Sequence, residues 1–201
     1  MPRATFSRER AHGGLVAGVD EAGRGPWAGP VVAAAVVLEA KRIPPGIGDS
    51  KATSADRREL LYAAITVRAR WGVGIASVAE IDELNIYHAT HLAMERAVAA
   101  LPCAPELVLV DGNRAPKWGW PTETIVSGDA KCLSIAAASI VAKVTRDRIM
   151  RDLHLAHPYY GWDRNMGYGV PQHSAGLDTH GLTPHHRMSF APCAAIKLRY
   201  G

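Results

Sequence analysis

Leu15-Val16-Ala17-Gly18-Val19-Asp20-Glu21-Ala22-Gly23-Arg24-Gly25 is an apolar run that delivers two adjacent carboxylates into a glycine-flanked arginine. Carboxylates at a strand end suit hard divalent cations, and glycines let backbone N–H groups come close to an anionic ligand. Leu15–Val19 and Val31–Leu38 are short Val-rich runs separated by the Gly/Pro-rich stretch from Gly23 to Pro30, which predicts two buried strands paired as a hairpin.

Outward from this hairpin, the spacing predicts a helix over Ser54–Arg70, capped by Ser54 or by Thr53 with Asp56, and then a strand over Trp71–Val78. A helix is expected from about Ile86 to Leu101, closed by Pro102, followed by a buried strand over Glu106–Val110 that ends at Asp111-Gly112. Pro121–Val126 reads as one more short strand, and Leu133 to about Leu155 as the longest helix. Strands alternating with helices predict an α/β fold. From His157 the chain is rich in Gly, Pro, His and Tyr, so this stretch is expected to pack as irregular structure with one short helix around Gln172–Leu177.

The 201 residues, 48% of them hydrophobic, suffice for one domain over 1–201, with 157–201 as a C-terminal extension. The net charge of +4, with nine histidines uncounted, favours a polyanionic partner. Cys103, Cys132 and Cys193 are odd in number and widely spaced, which excludes a disulfide framework or zinc site and points to a reducing setting. No signal-peptide pattern or membrane-length apolar run occurs, so the chain is expected to be cytoplasmic, with no membrane partner.

Four acids stand at element ends: Asp20 and Glu21 after the first run, Asp111 after another, and Asp129 before the long helix. Such positions are where rigid elements meet solvent in α/β sheets, so all four are candidates for one site. Taken alone, Asp111 before Gly112 reads first as a turn starter, and Asp129 can be read as only a helix cap. Asp20-Glu21 is harder to assign to structure, because two desolvated carboxylates cost several kcal/mol without cations or donors. In an ideal strand they point to opposite faces, so a shared ion requires a bend into the Gly23-Arg24-Gly25 turn. Asp49, Asp82, Glu83, Asp147 and Asp163 read as surface or capping groups, and the tail histidines His173, His180, His185 and His186 match no zinc spacing. On the long helix Leu133, Ala137, Ile140 and Val144 form an apolar stripe, while Ser139, Lys143 and Arg146 share another face. That second face alone reads as solvated surface.

Together these pieces resemble the type 2 ribonucleases H, specifically the bacterial HII group. The resemblance is carried by Asp20 to Pro26 with Ala28-Gly29-Pro30-Val31-Val32, Asp49-Ser50-Lys51, Val110-Asp111-Gly112, Gly128-Asp129-Ala130-Lys131, Ala137 to Arg148, Gly167-Tyr168-Gly169 and His186-Arg187-Met188-Ser189-Phe190, in family order. It implies a ribonuclease H-like mixed sheet flanked by helices, and an endonuclease that cuts RNA in RNA–DNA hybrids and 5′ to single ribonucleotides embedded in DNA. By the same resemblance Asp20, Glu21, Asp111 and Asp129 bind two Mg²⁺ or Mn²⁺ ions, and the products carry a 3′-hydroxyl and a 5′-phosphate. Gly23, Arg24 and Gly25 resemble the family's 2′-hydroxyl sensor and Tyr168 its sugar-packing tyrosine, with Lys51, Ser139, Lys143 and Arg146 as candidate phosphate contacts. The related HIII class usually has Glu at the fourth acidic position, where this chain has Asp129. Two other classes remain beside this one: a catalytically silent hybrid-binding protein, which needs one of the four acids to be lost or unable to reach the metal, and a phosphatase or nucleotide enzyme, for which no Walker-type loop is present. The partner is taken to be hybrid or ribonucleotide-containing DNA, and the chain is taken to act as a monomer.

Overall fold

The computed structural model describes residues 4–48 and 54–200. The hairpin is formed by β1 (Val16–Ala22) and β2 (Val31–Val37), antiparallel with Ala17 opposite Val37 and Ala22 opposite Val32. β3 (Arg70–Ala76) extends it antiparallel on the β2 side, while β4 (Leu107–Asp111) and β5 (Thr122–Ile125) add parallel strands on the β1 side. The resulting mixed five-stranded sheet has the order β3-β2-β1-β4-β5. Every residue of β2 is buried, which is why it reads as a continuous Val/Ala run rather than an alternation.

Helices cover both faces. On one side α3 (Val78–Ala99) packs its Ala89, Ala93 and Ala97 against β1–β3. On the other lies α4 (Leu133–Ala156), with Ala136, Ala137, Ile140, Val141 and Val144 in a second core shared with α2 (Ala55–Arg68). The α4 stripe read from the sequence is therefore the buried one. Small residues allow unusually close approach: a Cβ on Gly18 of β1 would stand 2.2 Å from the Ser134 carbonyl carbon in α4. Position 18 therefore has to be glycine if α4 is to lie flat on β1, which brings the α4 face beyond it near Asp20.

Several local expectations are corrected. α2 is capped by Ser54, whose hydroxyl accepts from Arg57 N–H at 3.3 Å; Thr53 lies outside the described residues, as do Asp49 and Lys51. α3 starts eight residues before the expected Ile86, because Ser77 and Glu80 form a capping box and Arg96 pairs with Glu80 at 2.7 Å. Ile86 instead follows an interior break: Asn85 has φ +66°, and its side-chain oxygen accepts from Tyr87 N–H at 2.9 Å and recaps the helix there. The N-terminal segment, for which no element is expected, forms α1 (Ser7–His12). The C-terminal stretch is more helical than expected, with α5 (Trp162–Asn165), α6 (Pro171–His180) and α7 (Ala191–Tyr200). Its Tyr160, Trp162, Leu177 and Ile196 form a separate cluster with Ala28 and with Met150 of α4. Asp82, read as a surface or capping group, accepts from Met188 N–H and Ser189 N–H, both at 2.9 Å, and pins this stretch to α3.

Candidate active site

β1 and β4 are parallel neighbours, so their C-terminal ends lie side by side, and these are the ends that carry Asp20-Glu21 and Asp111. Asp20 and Glu21 do not sit on a bend. They keep regular pairing with Ala34 and Ala33, and the turn begins after Ala22. Asp20 therefore points to the α4 side, where Ser139 hydrogen-bonds its carboxylate, and only 7% of the residue is exposed. Glu21 points the other way and lines two adjoining pockets. Asp111 accepts from Gly128 N–H at 2.6 Å, which ties the turn Gly128–Ala130, and with it the buried Asp129, to the end of β4. Asp129 is not the N-cap of α4: that position is Cys132, and buried Glu9 of α1 satisfies the helix start by accepting from Ser134 N–H at 2.9 Å and its hydroxyl at 2.7 Å.

Asp20 and Glu21 are poorly compensated. Burial, and then the charges of Glu21 and Asp111, hold the Asp20 carboxyl well above the ordinary carboxylate range. Burial also raises Glu21, although Arg24 at 3.3 Å offsets part of that and Asp111 adds to it. Among the described residues no three carboxylate, imidazole or thiolate groups stand at the spacing of a formed metal site. Desolvated, mutually repelling oxygen ligands at the ends of two fixed strands fit a hard divalent cation, whose charge would relieve the repulsion.

Beside the acids lies a pocket of about 320 Å³ lined by Glu21 to Gly25 together with Ser139, Lys143, Arg146 and Tyr168. The sequence-derived residues Gly23, Arg24, Gly25, Ser139, Lys143 and Tyr168 thus meet around one opening. Tyr168 is 48% exposed, which is more than a packing residue needs, and its ring faces Gly25. Lys143 lines the pocket while pairing at 2.6 Å with Asp147, which is buried rather than the surface group expected.

Arg146 is corrected. Only 1% of it is exposed, and its guanidinium donates to the carbonyls of Pro30 at 3.0 Å, Met166 at 2.9 Å and Ala28 at 3.0 Å. It is a brace between the loop after β1 and the turn before Tyr168, not a solvent-facing phosphate contact. The α4 periodicity placed it on the polar face, but the loop folds over that end of the helix. Burial lowers its pKa to about 10, so it stays charged at neutral pH. The glycine at 23 answers to this brace: with φ +97°, an added Cβ would stand 1.9 Å from Arg146 Nε.

Sequence reasoning assigned no role to a second buried arginine. Arg187 donates from Nε to Gly29 O at 2.9 Å, from Nη1 to Arg24 O at 2.9 Å, and from Nη2 to Gly23 O at 2.5 Å. Its segment zips to the same loop through Arg187 N–H to Trp27 O at 2.8 Å and Gly29 N–H to His185 O at 2.9 Å. The tail histidines are structural as well. His186 Nδ1 accepts from Thr183 N–H at 2.9 Å, so its Nε2 carries the proton and donates to His173 Nε2 at 3.1 Å. His173 Nδ1–H is left to donate to the Tyr168 carbonyl at 3.0 Å. Also missed was a smaller pocket on the far side of Glu21 and Asp111, walled by Tyr87, His91 and Arg114.

The family model described as Ribonuclease HII matches residues 17–193. Ribonuclease HII of Rhizorhabdus wittichii is 57% identical over 98% of this chain and 98% of its own length, and that of Paracoccus denitrificans 58% identical over 90% and 87%. The crystal structure of ribonuclease H2 from Pyrococcus horikoshii OT3 superimposes with a TM-score of 0.81 at 29% identity, covering 92% of this chain and 97% of that one. The match spans the β1 acids, Asp111, the Asp129 turn and the segment that carries Arg187, and with it the chain belongs to the ribonuclease HII family, endonucleases that cut the RNA strand of RNA–DNA hybrids.

Proposed function

We propose that this endonuclease also cuts duplex DNA on the 5′ side of a single embedded ribonucleotide, leaving a 3′-hydroxyl and a 5′-phosphate, with Asp20, Glu21, Asp111 and Asp129 as the catalytic carboxylates. The observation that carries this reading is the adjacency of two features: the under-compensated acids at the ends of β1 and β4, and a pocket whose rim combines an exposed tyrosine with glycine backbone.

The four acids would hold Mg²⁺ or Mn²⁺, for which oxygen ligands with room for water are suited. When bound, such ions supply an activated water and neutralise charge on the phosphate and on the leaving 3′ oxygen. Everything else falls to the chain itself. Ser139 orients the Asp20 carboxylate through its hydrogen bond, and the Gly128 amide orients Asp111. Arg24 partly neutralises Glu21 at the pocket mouth, and Lys143 adds positive charge along the strand's path, giving affinity that falls with salt. Backbone amides of Gly23–Gly25 read the ribose 2′-hydroxyl, the one group by which RNA differs from DNA at that sugar. The Tyr168 ring packs on the neighbouring sugar, where a second hydroxyl would crowd it. We place the enzyme in ribonucleotide removal in the cytoplasm, acting as a monomer; among the described residues no helix is long and apolar enough to cross a membrane.

The test is a DNA duplex carrying one ribonucleotide, incubated with Mg²⁺ or Mn²⁺. A single nick 5′ to the ribonucleotide is expected, and it should vanish in the Asp20→Asn, Asp111→Asn double variant. Absence of nicking, or nicking retained by the double variant, overturns the reading.

A further inference from the structure

We propose that Arg187 is the positioning residue for ribose discrimination, because it fixes which way the two peptide groups of the Gly23-Arg24-Gly25 turn face. The inference deepens the proposed reading of that turn as the ribose reader and rests on it. In a trans peptide the C=O of one residue and the N–H of the next point in opposite directions, and every peptide bond of the described residues is trans. Arg187 binds the carbonyls of Gly23 and Arg24, which belong to the same peptide units as the N–H groups of Arg24 and Gly25. Those two donors are consequently turned away from the buried guanidinium and toward the open side of the turn, which is the pocket wall.

The turn has little intrinsic preference for this orientation. Glycines at 23 and 25 leave both peptide planes free to flip, and one of the positions already sits at positive φ. Four carbonyls, those of Gly23, Arg24, Gly29 and Pro30, converge on one planar cation, so flipping either plane breaks a charge-assisted hydrogen bond in a site from which water is excluded. The guanidinium is itself fixed from two further directions. It lies over the Phe190 ring at 5.1 Å, and the next two residues are held to α3 by Asp82. Lysine cannot replace it, since one ammonium does not span a four-carbonyl fan.

The full chain is compared with its Arg187→Lys and Asp82→Asn variants. The second weakens the anchor of the Arg187 segment without touching the turn, and keeps the proposal testable should the first fail to fold. For each folded protein, shown by circular dichroism and a cooperative melt, two quantities are measured: kcat and KM for nicking a one-ribonucleotide duplex in Mg²⁺, and affinity under chelation for that duplex and for its all-DNA counterpart. For Arg187→Lys, loss of aligned donors predicts that preference for the ribonucleotide-containing duplex falls about tenfold, with all-DNA affinity unchanged and KM rising more than kcat falls. Asp82→Asn should lower the same ratio about two- to threefold. An unchanged ratio in the folded variants, or parallel loss of both affinities, overturns the proposal and leaves Arg187 a stability residue. If the wild type itself shows no preference for the ribonucleotide, the reading of the turn fails, and that outcome is separate from any effect of the variants.

Discussion

The two charged regions of this molecule are built on opposite terms. In the arginine region, Arg146 and Arg187 are as buried as a core leucine, yet each guanidinium is met by several backbone carbonyls and held in one geometry. In the acid region, Asp20, Glu21 and Asp111 are held on rigid strand ends, where burial and then the charges of Glu21 and Asp111 raise the Asp20 pKa, and burial and Asp111 raise that of Glu21. The hydrogen-bonded cations form the frame of the site, whereas the crowded, desolvated anions are where a cationic ligand gains most from binding. Loss of a group from the first region should therefore cost stability, and loss of a group from the second should cost activity while relieving strain.

The sharpest way to break this contrast is Asp20→Asn. Nicking should fall by on the order of 10³-fold, equivalent to about 4 kcal/mol in the barrier. The metal-free protein should meanwhile become more stable at pH 8 by about 1 kcal/mol, since a desolvated charge beside two like charges is removed. Activity assays and melting curves in chelator check both halves, and a destabilised variant would contradict the contrast. Next in size is Arg146→Met, which leaves the carbonyls of Ala28 and Met166 without their Arg146 donor and that of Pro30 with only the 3.3 Å bond from Arg187. Stability should drop by about 3 kcal/mol, read from the denaturant midpoint at unchanged slope.

A smaller effect comes from the histidine pair that holds Tyr168. Burial, then the proximity of His173, pushes the His186 pKa down to about 3, below the ordinary 6.5. Between those values the unfolded chain binds a proton that the folded protein refuses, so stability rises with pH across the window and is lost on acidification below about 6.5. At pH 5 this amounts to roughly 2 kcal/mol. The buried acids have the opposite sign, because their raised pKa values favour the folded state as pH falls. The comparison therefore belongs in the Asp20→Asn background, where melting at pH 5 and pH 7 should show the histidine effect with less opposition.

How much of this was legible in the sequence divides along the same line. Asp20, Glu21 and Asp111 are legible because they end apolar runs, and Asp129 because it precedes the long helix; such element ends are positions that pattern alone reveals. The β1–β2 hairpin was visible for the same reason. The arginine frame was not: Arg146 has the spacing of a solvated helix face, and nothing local shows that the loop after β1 folds over it. Arg187 sits in a quoted motif, yet its partners lie more than 150 residues away in sequence, at Gly23, Arg24 and Gly29. The α3 start is legible in principle, since Ser77-Val78-Ala79-Glu80 is a capping-box sequence, but the apolar period that marks a helix becomes regular only after Asn85.

The smallest expected effect separates the two glycines of the turn, which the sequence presents as equivalents. At Gly23 a methyl group meets Arg146 Nε at 1.9 Å on a backbone with φ +97°, so Gly23→Ala should lose both fold stability and activity. At Gly25 an added Cβ meets only the edge of the Tyr168 ring, at 3.4 Å, an ordinary contact, and no positive φ stands in the way. Gly25→Ala should therefore stay within about 0.5 kcal/mol of wild-type stability and raise KM by only about two- to threefold. That modest rise should disappear in the Tyr168→Ala background, where the methyl group has no ring to crowd. A stability loss at Gly25 comparable to that at Gly23 would mean that the frame extends across the whole turn, and that the boundary between satisfied frame and open site lies nearer the substrate than the arginine contacts place it.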